Sequence, residues 1–196
     1  PSEAEPMAQA LESQNRERQQ IDRSIAEQVT GAVRAKFDPE RDYVIVEGQM
    51  LWHIGVVGIV ASRVLREFYR PTIVLGGDGD TWRGSGRSIE GFDLAAALRE
   101  CDDLLIRHGG HAMAAGLTID PAKLDEFRVR INEIARMRIR PELLQPELRL
   151  DAETELAQLT VERLDELSRI EPTGQGNPAI SLVTRGVALA EPPRRI

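Results

Sequence analysis

The stretch RGSGRSIEGFDLAAAL (Arg83–Leu98) decides the fold of this chain, because its character changes halfway along. The first half is small and extended, with glycines at 84 and 86 that suit a strand approached closely by another group. The second half is a run of alanine and leucine that starts a helix near Asp93. A strand feeding a helix is the repeating unit of an α/β body, and the flanking sequence carries more of them.

Upstream, YVIVEG (Tyr43–Gly48) is a short β-branched strand, and WHIGVVGIVASRVLREFY passes two glycines into a helix over about 57–69. RPTIVLGG is a second strand, opened by Pro71, and TWRGSGRSI a third. Downstream, GFDLAAALRECDDLLIRHG (Gly91–Gly109) reads as one continuous helix and AGLTI (Ala115–Ile119) as a strand. DPAKLDEFRVRINEIARMRI then opens with Asp-Pro and repeats Leu124, Phe127, Ile131 and Ile134 at helical spacing. Residues 7–36 form a long helix with a thin apolar stripe, Leu11, Ile21, Ile25, Val29 and Val33, of the kind that connects two bodies. Pro141 and Pro146 mark a boundary. Beyond it, ELRLDAETEL and ISLVTRGVALA read as strands around a short helix, TVERLDELSRI, too little for a stable domain. The expected fold class is α/β: a connecting helix at 1–38, a sheet flanked by helices at 39–140, and a partial β-rich unit at 141–196.

Composition fits a soluble intracellular protein. The 196 residues are 41% hydrophobic and 29% charged, with only 4% aromatic, so the core is aliphatic. The single cysteine, Cys101, cannot close an intrachain disulfide, which suits a reducing cytoplasm. The longest apolar run, Ile54–Ala61, is too short for a bilayer, and the polar N-terminus is no signal peptide, so no membrane partner is expected. A net charge of −7 excludes coating of nucleic acid by bulk electrostatics. Locally the balance reverses: Arg63, Arg66, Arg70, Arg83 and Arg87 stand against Glu67, Asp78 and Asp80. Arginine is the side chain best shaped for a phosphate fork.

Three motifs can bear chemistry. In GSGRS, Gly84 and Gly86 free the surroundings of Ser85, Arg87 offers a bidentate fork, and Ser88 a second hydroxyl; the alternative is a tight hairpin that satisfies itself. In GGH, Gly109 and Gly110 allow close backbone approach and His111 can bond a phosphate or stack on a base; the plainer alternative is a helix cap before a buried histidine. In WHIGVVGIVASR, Trp52 and His53 follow a strand end, and Arg63 can reach the same cleft. His53, His108 and His111 have no Asp or Cys partner at a usual metal-ligand spacing, and no nucleophile elbow or P-loop is present. These motifs can hold a phosphate and lack the means to hydrolyse one.

Together, WHIGVVGIVASRV, RPTIVL, GSGRSIEGFDLAAAL and GGHAMAAGLTI resemble, in order and spacing, the RecJ family of bacterial single-stranded-DNA-specific 5′→3′ exonucleases of the DHH phosphoesterase superfamily. LESQNRERQQIDRSI resembles the helix joining that family's two lobes. IEPTGQGNP resembles the entry to its oligonucleotide-binding (OB) barrel, with Thr173 where the family usually has an aromatic. The resemblance implies that 39–140 is the DHH-associated nucleic-acid-binding domain and 141–196 a partial OB-like domain. It implies two divalent ions, Mn2+ or Mg2+, held by a DHH lobe absent from this chain, which itself binds none and is inactive alone. The implied partners are single-stranded DNA and that lobe. Carried over by position, Ser85 and Arg87 match the pair that holds the 5′-terminal phosphate, and Gly109, Gly110 and His111 the turn that faces the metal lobe across the cleft. Trp52, His53, Arg63 and Arg83 fall in or beside the other signatures.

Two other functions share part of this pattern. One is a phosphodiesterase for short oligonucleotides or cyclic dinucleotides, against which the segment after Pro141 argues. The other is a non-catalytic binding module that uses the long helix for a protein partner.

Overall fold

A computed structural model describes residues 4–77, 79–188 and 190–191. Contacts divide the chain into a first unit through Pro146 and a second from Glu147.

The first unit begins with α1 (Ala4–Lys36), thirty-three residues that span about 50 Å at 1.5 Å per residue. Its first half is exposed all round. Its second half buries Ile25, Val29 and Val33 of the predicted stripe together with Ala26, while Ile21 is half-buried and Leu11 exposed, because only this half of the helix has the domain to pack against. Then follow β1 (Ile45–Met50), α2 (Val57–Phe68), β2 (Thr72–Gly77), β3 (Trp82–Arg87), α3 (Leu94–Arg99), β4 (Leu105–His111), β5 (Ala114–Ile119) and α4 (Leu124–Arg138). The five strands form one sheet in the order β1-β2-β3-β5-β4. The β1–β2 pair is parallel and joined by the α2 crossover; the other pairs are antiparallel.

Strand periodicity sorts the core into two clusters. Ile73 and Leu75 of β2 face one side, with Leu94 and Leu98 of α3 and Phe127 and Ile131 of α4. Val74 and Ile45 face the other, against Val57, Val60 and Val64 of α2 and Val29 and Val33 of α1. The α2 side is covered over β1 and β2, and α2 also reaches β3, while Gly116 of β5 and Arg107, Gly109 and His111 of β4 are exposed there.

In the first unit one predicted helix is corrected. The continuous helix expected over Gly91–Gly109 stops at Arg99; a 3-10 turn at Asp102–Leu104 leads into β4. Asp93 caps α3 by accepting a hydrogen bond from the Ala96 amide at 2.8 Å. Leu94, Leu98, Cys101 and Leu104 continue an apolar spacing past the helix end, but all four serve the same buried cluster from different backbone conformations. Gly109, Gly110 and His111 therefore lie in a strand, not after a helix.

In the second unit, β6 (Ala152–Glu153) and β7 (Leu182–Val183) make a short parallel pair, with α5 (Val161–Ser168) between them in sequence. The long strands expected from ELRLDAETEL and ISLVTRGVALA shrink to these two-residue ladders, and Leu189 at the end of the latter lies outside the described residues. Thr160 caps α5 by accepting from the Arg163 amide.

Candidate nucleic-acid interface

The pairing of three strands builds a surface on the α2 side of the sheet. Residues directly opposite each other in antiparallel strands share a face, so the register sets out three rows. Arg83 of β3, Thr118 of β5 and Arg107 of β4 make the first; Ser85, Gly116 and Gly109 the second; Arg87, Ala114 and His111 the third. No acidic residue occupies any of the nine positions. The middle row is a bare floor. A Cβ at Gly109 would meet nothing within 4 Å, and one at Gly116 only the Gly84 carbonyl at 3.8 Å. Packing does not demand glycine at either position, so their smoothness is available to something outside the sheet.

At the covered end of the floor, Arg87 Nη1 donates to Ser85 Oγ at 2.8 Å and to the Gly86 carbonyl at 2.9 Å. The guanidinium lies against the first turn of α2, where a Cβ on Gly58 would stand 2.9 Å from Arg87 Nη2 and 3.0 Å from Ser85 Oγ. The positive end of the helix dipole therefore adjoins this pair. Arg87 is half-buried, Arg83, Arg107 and His111 are exposed, and a groove of about 660 Å³ opens over Arg83, Arg107, Gly109, Gly116 and Thr118. Such a surface can hold anions. It offers no activated nucleophile: the hydroxyl of Ser85 is bonded to an arginine, which cannot take its proton.

Several predicted roles change in the folded chain. Gly84 and Gly86 point away from Ser85 into the core, where a Cβ on Gly84 would lie 2.8 Å from Leu75 Cγ and one on Gly86 2.5 Å from Leu94 Cδ2. The clearance around Ser85 comes instead from Gly58 and Gly116. The amides of β3 belong to a central strand with partners on both sides, so they form no open anion nest. Ser88 is buried, its hydroxyl donating to the Phe92 carbonyl at 2.7 Å. Gly110 has φ +142°, and a Cβ there would stand 2.5 Å from the Ala114 carbonyl, so it serves the hairpin.

The remaining signature residues lie elsewhere. Trp52 is buried and donates its indole N–H to Gln28 of α1 at 3.0 Å. His53 is exposed and its Nδ1 accepts from the Gly55 amide. Arg63 forms an ion pair at 2.6 Å with buried Asp22 of α1. Of the other arginines in the basic window, Arg70 is buried in a cage of carbonyls from Pro39, Asp42, Tyr69 and Leu144, and burial lowers its pKa. Arg83 and Arg87 are the two of the five that share the open face. Sequence reasoning missed Arg107, Gly116, Thr118 and Gly58. The signal for Arg107 was the alternation in RHGGH, Arg107-Gly109-His111, which a helical reading scatters.

Among the described residues, no group of three or more His, Cys, Asp or Glu could hold a metal ion, and no helix is long and apolar enough to cross a membrane. The nearest His–acid contact, His108 Nε2 to Asp102 Oδ1 at 2.9 Å, is a pair with no third member.

A family model, the DHHA1 domain, matches residues 41–137. The single-stranded-DNA-specific exonuclease RecJ of Bacillus subtilis is 35% identical over 96% of this chain, and that of Escherichia coli 35% identical over 88%. The chain spans 24% and 31% of their respective lengths. Among solved structures, RecJ of Thermus thermophilus in complex with Mn2+ superposes with a TM-score of 0.77 at 31% identity, over 89% of this chain and 25% of that one. A second structure of that protein holds Mg2+ and gives a TM-score of 0.74.

Proposed function

Because this chain belongs to the RecJ family and carries its DHHA1 domain, we propose that it is the part of a single-strand exonuclease that grips DNA for hydrolysis on a separate DHH lobe. One observation carries the reading: the uncovered sheet face joins a cationic pair, Ser85–Arg87, to a floor of glycines that packing does not require. A single strand entering 5′ end first places its terminal phosphate on Arg87 and Ser85, beside the first turn of α2. Its sugar-phosphate backbone then lies against Gly116 and Gly109, where a side chain would hold it off. His111, exposed at the rim, bonds the phosphate or stacks on the first base. Gly110 shapes the hairpin that presents His111. Trp52 and Arg63 hold α1 to the domain, and His53 and Ser88 stand outside the grip.

The divalent ions seen in the RecJ structures fit no cluster among this chain's described residues. In this reading its residues bind and orient the strand, the DHH lobe supplies the metals, and the fragment alone is inactive. Residues 141–196 are the start of an OB-like barrel, whose exposed Leu148, Leu156, Val161 and Leu164 suit a face that further strands cover. Net charge is no obstacle, since a narrow groove needs local arginines rather than a basic protein. A cytoplasmic location accompanies this role.

The test is anisotropy of 3′-labelled oligothymidine, with a 5′ phosphate or a 5′ hydroxyl, titrated with the chain. The phosphorylated strand binds more tightly, and Arg87→Ala removes the preference, a loss of about 1.5–3 kcal/mol for one charged hydrogen-bonding group. Equal affinity for both strands in the wild type overturns the assignment.

A further inference from the structure

We propose that Arg83, Thr118 and Arg107 form a second phosphate subsite, which takes the internucleotide phosphate next to the one held at Ser85 and Arg87. The inference rests on that first site, and four observations place the second beside it. Arg83 and Ser85 are two residues apart on β3 and so share a face at a spacing of about 6.7 Å, close to one nucleotide step of an extended strand. Thr118 pairs with both Arg83 and Arg107, so the two arginines flank one hydroxyl across three adjacent strands. The two guanidinium groups thus rise from strands about 10 Å apart, a span that one phosphate can bridge with long side chains on either side. The groove opens over this row and shares Gly109 and Gly116 with the floor of the next.

The third observation is the state of the two cations. Among the described residues, neither Arg83 nor Arg107 has an ion pair or a side-chain hydrogen bond, and both are exposed. Arg130, by contrast, grips both oxygens of Asp103 from the far side of the sheet. Two like charges facing one hydroxyl repel each other unless an anion lies between them.

The fourth is the bulge in β4. The register shifts between Leu105 and Arg107, which leaves Ile106 as the extra residue. Leu105, opposite Ile119, faces the buried cluster. In a regular strand without the bulge, the two-residue period would carry Arg107 to that side too. The bulge re-aims Arg107 onto the open face.

The experiment titrates the chain with thymidine 5′-monophosphate and with 5′-phosphorylated dithymidine, which adds one internucleotide phosphate, and follows amide and arginine side-chain shifts by NMR. The dinucleotide binds at least tenfold more tightly, the scale of one added charged hydrogen-bond set. Arg107→Gln and Arg83→Gln each remove most of that gain and change mononucleotide affinity less than about twofold, while Arg107→Lys restores part of it. Salt weakens dinucleotide binding less steeply in each glutamine variant than in the wild type. Equal affinity for the two probes, or equal losses on both in Arg107→Gln, overturns the second subsite and leaves the first standing. If neither probe binds, both assignments fall.

Discussion

Gly58 lies against Arg87: a methyl group on the helix residue would stand 2.9 Å from the terminal nitrogen of the guanidinium on the strand. That contact couples α2 to the proposed phosphate grip, since the same methyl group would crowd Ser85 Oγ at 3.0 Å. The atoms in the way are the ends of side chains, so the fold can yield while the geometry of the pair cannot be kept. Stability and binding therefore separate in Gly58→Ala. Alanine raises helix stability by up to about 0.5–1 kcal/mol. Affinity for a 5′-phosphorylated strand falls about tenfold, as one misplaced charged hydrogen bond requires. Urea denaturation and anisotropy on the same preparation check both halves, and parallel losses in the two would deny the coupling.

Neighbouring glycines in β4 carry opposite predictions. Gly109 faces open space, whereas Gly110 is held at φ +142° with the Ala114 carbonyl 2.5 Å from where its Cβ would be. Gly109→Ala keeps or slightly raises the melting temperature and weakens oligothymidine binding several-fold, because the added methyl group lifts the strand from the floor. Gly110→Ala lowers stability by about 1–3 kcal/mol through backbone strain, with further cost from the clash. If Gly109→Ala binds as well as the wild type, no backbone lies on that floor.

The difference between these two glycines also shows where sequence reading stops. The strand–helix alternation was legible through Leu98 because each apolar run keeps one period. After Arg99 the apolar residues Cys101, Leu104 and Leu105 go on filling the core through a 3-10 turn and a bulged strand, so helical spacing persists without a helix. Arg107 was lost with that segment. Ser85, Arg87, Gly109 and His111 could be found as local motifs, yet the reason given for Ser85 had the wrong glycines: in a strand Gly84 and Gly86 face away from Ser85, and only the register of β3 with β5 brings Gly116 beside it. Arg63 and Trp52 show a third limit: their partners, Asp22 and Gln28, are about forty-one and twenty-four residues away in α1, and only tertiary packing brings them together.

Burial raises the pKa of the Cys101 thiol to about 11, against an ordinary 9.0, so the folded state favours the neutral form. Its contribution to stability is complete below pH 9 and is lost as pH climbs toward 11, where the unfolded chain gains from ionising the thiol first. The stability difference between wild type and Cys101→Ala, large at pH 8 because the core loses a sulfur atom, narrows at pH 10.5. Paired urea titrations at the two values read this directly, and a constant difference would show that the thiol does not ionise on unfolding. Iodoacetamide at pH 8 labels the thiol only when the domain opens.

The Asp22–Arg63 pair makes unequal demands on its members, because the carboxylate side chain is 3% exposed and the guanidinium 43%. Asp22 Oδ2 accepts from Arg63 at 2.6 Å, and Oδ1 has no hydrogen-bond partner among the described residues. Removing the arginine leaves a buried charge without its counter-ion, a loss of about 3 kcal/mol or more. Removing the aspartate leaves a cation that turns into water, and costs about 1 kcal/mol. Arg63→Met is therefore the more damaging single change, and adding Asp22→Leu to it recovers stability, since the stranded charge is gone and an apolar residue fills its place. A double variant no more stable than Arg63→Met would mean that the desolvated carboxylate is not the source of the loss. Oligothymidine affinity, measured below the melting point of each variant, stays at the wild-type value throughout. Arg63 then binds α1 to α2 rather than binding DNA, and a selective loss of affinity in Arg63→Met would return it to the groove.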